Sequence, residues 1–425
     1  MFKYRIFILS GTLLLAYTVI VCRMFNVSVF DETRARNQIF GDGYSDINTL
    51  SSAWYFKDSG FTKTAFLPVH EYKVQTKQPA IYTHYPALPN ILAGAAAVVL
   101  NTYDEPLLRL LPVLLSLLLA FFIYRVLHRL IPDKRVALLA TVLLYSSNYF
   151  IAWADNLHQH LYGELLKWLS IAVMMEYYEK GRNQLRFLLV LCIIMLLQVN
   201  ISFEQPVFFG ILAAGFAWHY QRNVFTRETV LLFVSLCAGF LLHMYQNKVY
   251  FGSWQLAIDD LTNAFVYRTT GQQAIQGGHA EETFSWVQWL TLPADWLNRM
   301  ERFFVLPGWF VLVVYILFYK KIHTQGEKSL QLIWVFLAAG IAWSVVMPQH
   351  AFIHSFTSKH FAVWYAPVAA SGLYLLYQHL RNTFSEMNWW KKVFYVCLIG
   401  YACIMFITQH VWELYLKFGV LYTVL

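Results

Sequence analysis

Eleven apolar stretches divide this chain into segments of a length that suits a bilayer. They lie near 6–24, 107–127, 136–154, 158–178, 187–201, 206–221, 229–247, 303–319, 329–347, 361–380 and 392–412. A helix needs about 20 apolar residues to cross about 30 Å of hydrocarbon, and a chain built of such runs cannot hide them from water in a soluble core. Only 13% of the 425 residues are charged and 58% are hydrophobic, whereas soluble domains carry about 25% charged residues. The expected fold class is therefore an all-α polytopic membrane protein of about eleven transmembrane helices, organised as one domain over residues 1–425. The first run follows Lys3 and Arg5 as in a signal peptide. No small-residue cleavage site stands near Cys22–Arg23, so it reads as a span. The five cysteines all fall inside apolar runs without metal-ligand spacing, which predicts small buried hydrophobes.

One further run, 87–100, is about 14 residues long and rich in small side chains. Charge decides its place. If it does not cross and Lys3 and Arg5 are cytoplasmic, seventeen basic residues fall in the cytoplasmic loops, and the short outer loop near 348–360 holds only Lys359. If it crossed, every later loop would invert against the positive-inside rule. It is therefore predicted to be a half-depth or re-entrant helix, with the N-terminus inside and the C-terminus outside. The basic excess marks topology, so no nucleic-acid partner is expected. The inner loops are short and carry no P-loop or Gly-rich dinucleotide turn. Chemistry is expected on the outer face, in loops 26–106 and 248–302 and in three short polar turns.

Several constellations on that face carry titratable groups. Asp42 and Asp46 would share one side of a helix if their segment were helical. Asp46 could instead cap a helix starting at Ile47. That helix, with Ile47, Leu50, Ala53, Trp54 and Phe56, has an apolar side suited to the membrane surface. Asp31 and Glu32 read as a solvated boundary beside the first span. Tyr82, His84 and Tyr85 stand in a Tyr-Thr-His-Tyr-Pro cluster ahead of Pro89, a place that fits a loop-to-helix corner or a substrate contact. Asp155, His158, His160 and Glu164 lie at the mouth of two spans, and Glu204 just precedes Pro206. Ionisable groups turned into a membrane bundle usually line a site. A divalent metal could be built from Asp42 or Asp46 with His158, His160 or Glu204, although no local ligand motif demands one. His350, His354, Lys359 and His360 crowd the last outer turn. Lys359 with Arg268, Arg299 and Arg302 could hold a lipid phosphate, and Arg302, less so Lys359, could instead snorkel to headgroups.

These features resemble the GT-C superfamily of integral membrane glycosyltransferases, the group of the protein O-mannosyltransferases and the lipid A aminoarabinose transferases. Asp46 (or Asp42), Gly60 and His84-Tyr-Pro86-Ala-Leu stand where that family has an early acid, a glycine and a His-Pro-rich stretch. Spacing to Gly60 favours Asp46 and the Gly41–Asp42 start favours Asp42. The segment from His350 to Pro367 is similar to the family's late histidine segment, with His354 the best match. The resemblance implies a GT-C-like bundle with membrane-parallel helices in the first outer loop. It also implies a polyprenyl-phosphate-linked sugar donor and an acceptor hydroxyl or amine activated by the loop acid as general base, with inversion at the anomeric carbon. Lys359, Arg299, Arg302 and Arg268 would bind the donor phosphate. Tyr82, His84, Tyr85, Asp155, His158, His160, Glu204 and His354 would contact substrate. The implied setting is the outer side of a bacterial inner membrane, surrounded by membrane lipids.

Two rival classes use the same features differently. A transporter or flippase is expected to show internal repeats and broken helices at mid-depth, and the sequence shows no repeat. A polymerase or ligase of O-antigen type would place catalysis in the late loop 248–302.

Overall fold

A computed structural model describes residues 2–30, 43–70, 72, 79–180, 185–270, 285–324 and 332–408. In chain order its helices begin with α1 (Phe2–Asn26), α2 (Gly43–Ser59), α3 (Leu88–Val99), α4 (Glu105–Leu130), α5 (Lys134–Tyr145) and α6 (Asn148–Ile151). They continue with α7 (Gln159–Lys180), α8 (Leu185–Val199), α9 (Glu204–Gln221), α10 (Arg227–Phe251), α11 (Trp254–Thr270) and α12 (Trp286–Phe303). The last are α13 (Gly308–Thr324), α14 (Ile333–Val346), α15 (Pro348–Ile353), α16 (Ala362–Thr383) and α17 (Trp389–Phe406). Two short antiparallel strands, β1 (Val69–His70) and β2 (Ala80–Ile81), pair Val69 with Ile81.

Every one of the eleven apolar runs contains helix. Among the described residues, four helices are long and apolar enough to cross a membrane: Ile6–Asn26, Glu105–Leu130, Arg227–Phe251 and Trp389–Phe406. A fifth crossing arises if the pair Trp286–Phe303 and Gly308–His323, bent by 110°, is one broken span. Helices α8 and α14 have 15 and 14 residues, short of a full crossing. Helix α7 is long enough but carries Glu164, Lys167, Glu176 and Glu179. The run 136–154 breaks after Tyr145. There the Ser146 and Ser147 hydroxyls donate back to the carbonyls of Val142 and Leu144, a local alternative to helix bonding.

Side chains explain where the helices start and stop. Asp104 caps α4 by accepting from the Leu107 amide. Thr226 does the same for α10 at Thr229, and Gly252, with φ 72°, ends that helix. Ser285 and Gln288 form a reciprocal capping box at α12. The 110° bend after α12 depends on Gly308. A Cβ there would lie 2.4 Å from the Leu297 carbonyl oxygen and 2.8 Å from the Leu297 Cα, backbone that cannot step aside. Gly308→Ala is expected to cost about 1–3 kcal/mol through overpacking. This would be seen as a lower thermal midpoint in detergent, and an unchanged midpoint would show that the bend has slack.

The main core joins α1 and α4–α9 to α12–α14 and α16 through residues such as Ile20, Ile123, Trp168, Phe208, Phe336 and Tyr365. Long apolar side chains on the outside of α1, α4, α10 and α17 remain exposed, as expected of a surface that meets acyl chains. Four of the cysteines belong with them. Cys22, Cys237, Cys397 and Cys403 are exposed, so the expectation of buried cysteines is corrected for these four, while Cys192 is half-buried against the main core.

The first-loop helices also differ from expectation. Helix α2 does not lie with one apolar side on the membrane. It packs between α3 and β1 and buries Leu50, Ala53 and Phe56 together with Asp46, Asn48, Thr49, Ser51 and Ser52. Ser52 explains part of this, since its hydroxyl bonds Val69 across 2.8 Å and takes a hydrogen bond from Asn90. The short run at 87–100 forms helix α3, of 12 residues. Its first amide, at Leu88, donates to the carbonyl of Asn200 and seats it against the turn before α9.

Candidate active site

The helix ends bring residues from six separate segments to one end of the bundle. Asp46 stands in the first turn of α2 and is fully buried. It does not cap its own helix, which begins at Gly43. Its Oδ1 accepts from the backbone amides of Leu157 and His158, at 2.7 and 3.2 Å, immediately ahead of α7. The carboxylate thus meets the positive end of a long helix, a setting that favours negative charge. Asp42, Asp31 and Glu32 lie outside the described residues.

From this point a band of rings crosses the site. Tyr82 stacks on His70 at 4.3 Å and lies 5.7 Å from Tyr85. Tyr85 reaches His158 at 6.1 Å, and His158 reaches His160 at the same distance. His160 packs 4.8 Å from Phe356, which lies 5.0 Å from His354, itself 4.4 Å from His350. Burial pushes the imidazole of His70 down to about 4, so it enters the stack neutral.

Lys359 sits inside the band, 3% exposed. Its ammonium donates to His160 Nδ1, which fixes the ring proton on Nε2. It also lies 4.4 Å above the Trp153 ring, a cation–π contact in a desolvated place. Next to it runs a chain of buried polar groups. Lys167 donates to Glu164 Oε1 at 2.6 Å and to His360 Nδ1 at 3.0 Å. His360 then donates from Nε2 to Glu204 Oε2 at 3.0 Å. Tyr149 bonds the second oxygen of Glu164 and receives the Trp168 indole N–H. Each member therefore fixes the proton position of its neighbour. The last polar turn forms a buried 3-10 segment, Ser355–Phe361, because its polar groups find partners on α7 and α9.

Other expected site residues have different surroundings. Asp155 is fully buried and bonds both Arg23 and Arg109. Arg109 also holds the Met24 and Val27 carbonyls at the end of α1, at 3.0 and 2.8 Å, and Glu105 at 3.0 Å. Asp155 thus acts as the knot of a cross-brace between α1, α4 and the approach to α7. Arg299 places its two terminal nitrogens on the carbonyls of Ala351 and Phe352, at the end of α15. Arg302 is exposed, and its carbonyl accepts from Asn148. Arg268 lies on α11, and its side chain is outside the described set. His84 points toward α11, where its Nε2 meets Asp260 Oδ1 at 2.8 Å. Burial works to raise the Asp260 carboxyl, but the bond from His84 holds it below its ordinary range. The carbonyl of Thr83 accepts from His243 and Asn247, both at 3.1 Å, which docks this corner on α10.

Sequence reasoning missed Asp260, Arg23, Arg109 and Lys167. Charged residues inside otherwise apolar runs, Arg109 and Lys167 above all, were the available signal. Among the described residues no three His, Cys, Asp or Glu side chains gather as a metal site would require. The expected acids are engaged elsewhere, Asp46 on backbone amides and Glu204 on His360.

No family model and no curated protein matches this chain. Among solved structures it is similar to the oligosaccharyltransferase of Archaeoglobus fulgidus. The apo form is 13% identical with a TM-score of 0.48, covering 95% of this chain and 56% of that one. The same enzyme in complex with an inhibitory peptide and a dolichol-phosphate is 14% identical with a TM-score of 0.48, covering 96% and 56%. Its complex with Zn and sulfate is 14% identical with a TM-score of 0.45, covering 94% and 52%. The chain spans about half the length of these structures.

Proposed function

We propose that this protein is a membrane glycosyltransferase of GT-C type. It takes a sugar from a polyprenyl-phosphate carrier and transfers it, with inversion, to an acceptor at the extracytoplasmic face. The carrying observation is the convergence of Asp46, His158, His160, Glu204, His354 and Lys359, drawn from four segments far apart in sequence, around one buried ammonium. A buried cation among rings suits the phosphate of a lipid-soluble leaving group, because charge that develops there is stabilised in a dry setting. The Asp46 carboxylate serves as general base on the acceptor. The aromatic faces of Tyr82 and Tyr85 offer stacking surfaces for sugar. The charge count of the loops supports an inner N-terminus.

The test uses protein in nanodiscs with undecaprenyl phosphate as probe. Wild type is expected to bind it. Lys359→Met is expected to weaken binding at least about tenfold, the scale of one charge-assisted contact. Wild-type protein that ignores the lipid would overturn the reading. The ligase-type alternative, with catalysis in 248–302, draws on the His84–Asp260 pair. It requires transfer to survive the loss of the Asp46 carboxylate.

A further inference from the structure

A second group of side chains lies beside the ring band and takes no part in the scheme above. On α7, Gln159 and Gly163 are one turn apart, and Tyr162 is three residues from Gln159, so the three share a flank of the helix. Gln205, at the start of α9, lays its amide against this flank. A Cβ at position 163 would lie 2.6 Å from the Gln205 Nε2 and 3.2 Å from its Cδ. Glycine at 163 is what lets the amide come this close to the helix.

Gln159, Tyr162 and Gln205 are only 3, 3 and 4% exposed. Among the described residues, the Oε1 of Gln159, the hydroxyl of Tyr162 and the Oε1 of Gln205 have no hydrogen-bond partner. A buried polar atom without a partner costs about 1–3 kcal/mol, and buried polar groups are nearly always satisfied. Three on adjoining faces of two packed helices call for a polar occupant. Tyr162 lies within electrostatic reach of Asp46, which ties the group to the candidate site. Its chemistry is uncharged: one phenol and two carboxamides, each able to donate and accept. That suits neighbouring hydroxyls, which also donate and accept. It suits neither a phosphate, which would want a cation, nor a metal ion, which would want anionic ligands.

We infer that Gln159, Tyr162 and Gln205, with Gly163 making room, form a hydrogen-bonding subsite for the hydroxyls of a saccharide and decide which sugar the protein accepts. The inference rests on the glycosyltransferase reading. It assigns the sugar to α7 and α9 and leaves the phosphate to Lys359.

The experiment compares the binding of bare undecaprenyl phosphate with that of undecaprenyl phosphates carrying glucose, mannose or arabinose, in nanodiscs. Wild type binds at least one sugar-bearing lipid about tenfold more tightly than the bare lipid, the scale of one or two good hydrogen bonds. Gln205→Leu and Gly163→Ala reduce that advantage to about threefold or less while binding the bare lipid as wild type does. Gly163→Ala meets only the movable end of a side chain, so it displaces the amide without unfolding the helix pair, and unchanged thermal midpoints verify this. Retention of the full sugar advantage in both variants overturns the subsite. So does a wild type that binds the bare lipid yet shows no sugar advantage. A wild type that binds no lipid at all refutes the glycosyltransferase reading, and the subsite falls with it.

Discussion

Asp46→Asn is expected to reduce sugar transfer by about 10²–10⁴-fold, the usual contribution of a positioned general base, while leaving the fold intact. The substitution separates two roles that the structure superimposes on one side chain. Oδ1 of Asp46 holds the Leu157 and His158 amides at the start of α7. An asparagine carbonyl accepts the same two hydrogen bonds but cannot take a proton from an acceptor. The thermal midpoint of the Asn variant should therefore stay close to wild type, and Asp46→Ala should lower it through loss of a cap worth about 0.5–2 kcal/mol. Transfer is measured in proteoliposomes with a radiolabelled sugar on a polyprenyl phosphate. Near-normal transfer by the Asn variant would reduce Asp46 to a helix clamp and favour chemistry at His84 and Asp260.

The largest expected effect on stability belongs to Asp155→Ala. The carboxylate is fully buried between two guanidiniums, one fully buried and the other 2% exposed. Removing one member of such a set strands the others in a medium that solvates them poorly, at a cost of about 3–5 kcal/mol. Folded proteins hold only about 5–15 kcal/mol in reserve. The variant should leave the monodisperse peak in detergent chromatography and lose its cooperative melt. Asp155→Asn combined with Arg23→Met should recover part of the loss, since Arg109 keeps Glu105 and two backbone carbonyls. Wild-type behaviour of Asp155→Ala would show that the brace carries little of the stability.

The sequence was most informative where one residue's neighbours along the chain decide its state. Every apolar run contains helix. The short run at 87–100 forms a helix of only 12 residues, as its length implied. What could not be read were pairings set by tertiary contact. Lys359 and His160 are 199 residues apart, and Lys167 and His360 are 193 apart. No periodicity links them. The turn at 355–361 is polar in sequence, yet it is buried because α7 and α9 supply matching groups. Asp155 resembled a substrate contact for a similar reason, as its two arginines stand in helices whose apolar character hides them. The apolar face of α2 suggested a membrane surface, yet the opposite face is buried too, since β1 and α3 satisfy Ser52.

The arginine brace also bears on biogenesis. Arg23 and Arg109 are synthesised well before Asp155, so the ribosome delivers α1 and α4 to the insertion machinery without the acid that joins them. Until that acid emerges, α1 and α4 are joined by the bonds of Arg109 to the Met24 and Val27 carbonyls but lack the charge that ties both to the approach to α7. Nascent chains too short for Asp155 to have left the ribosome should therefore be easier for a membrane protease to pull out than chains long enough to expose it.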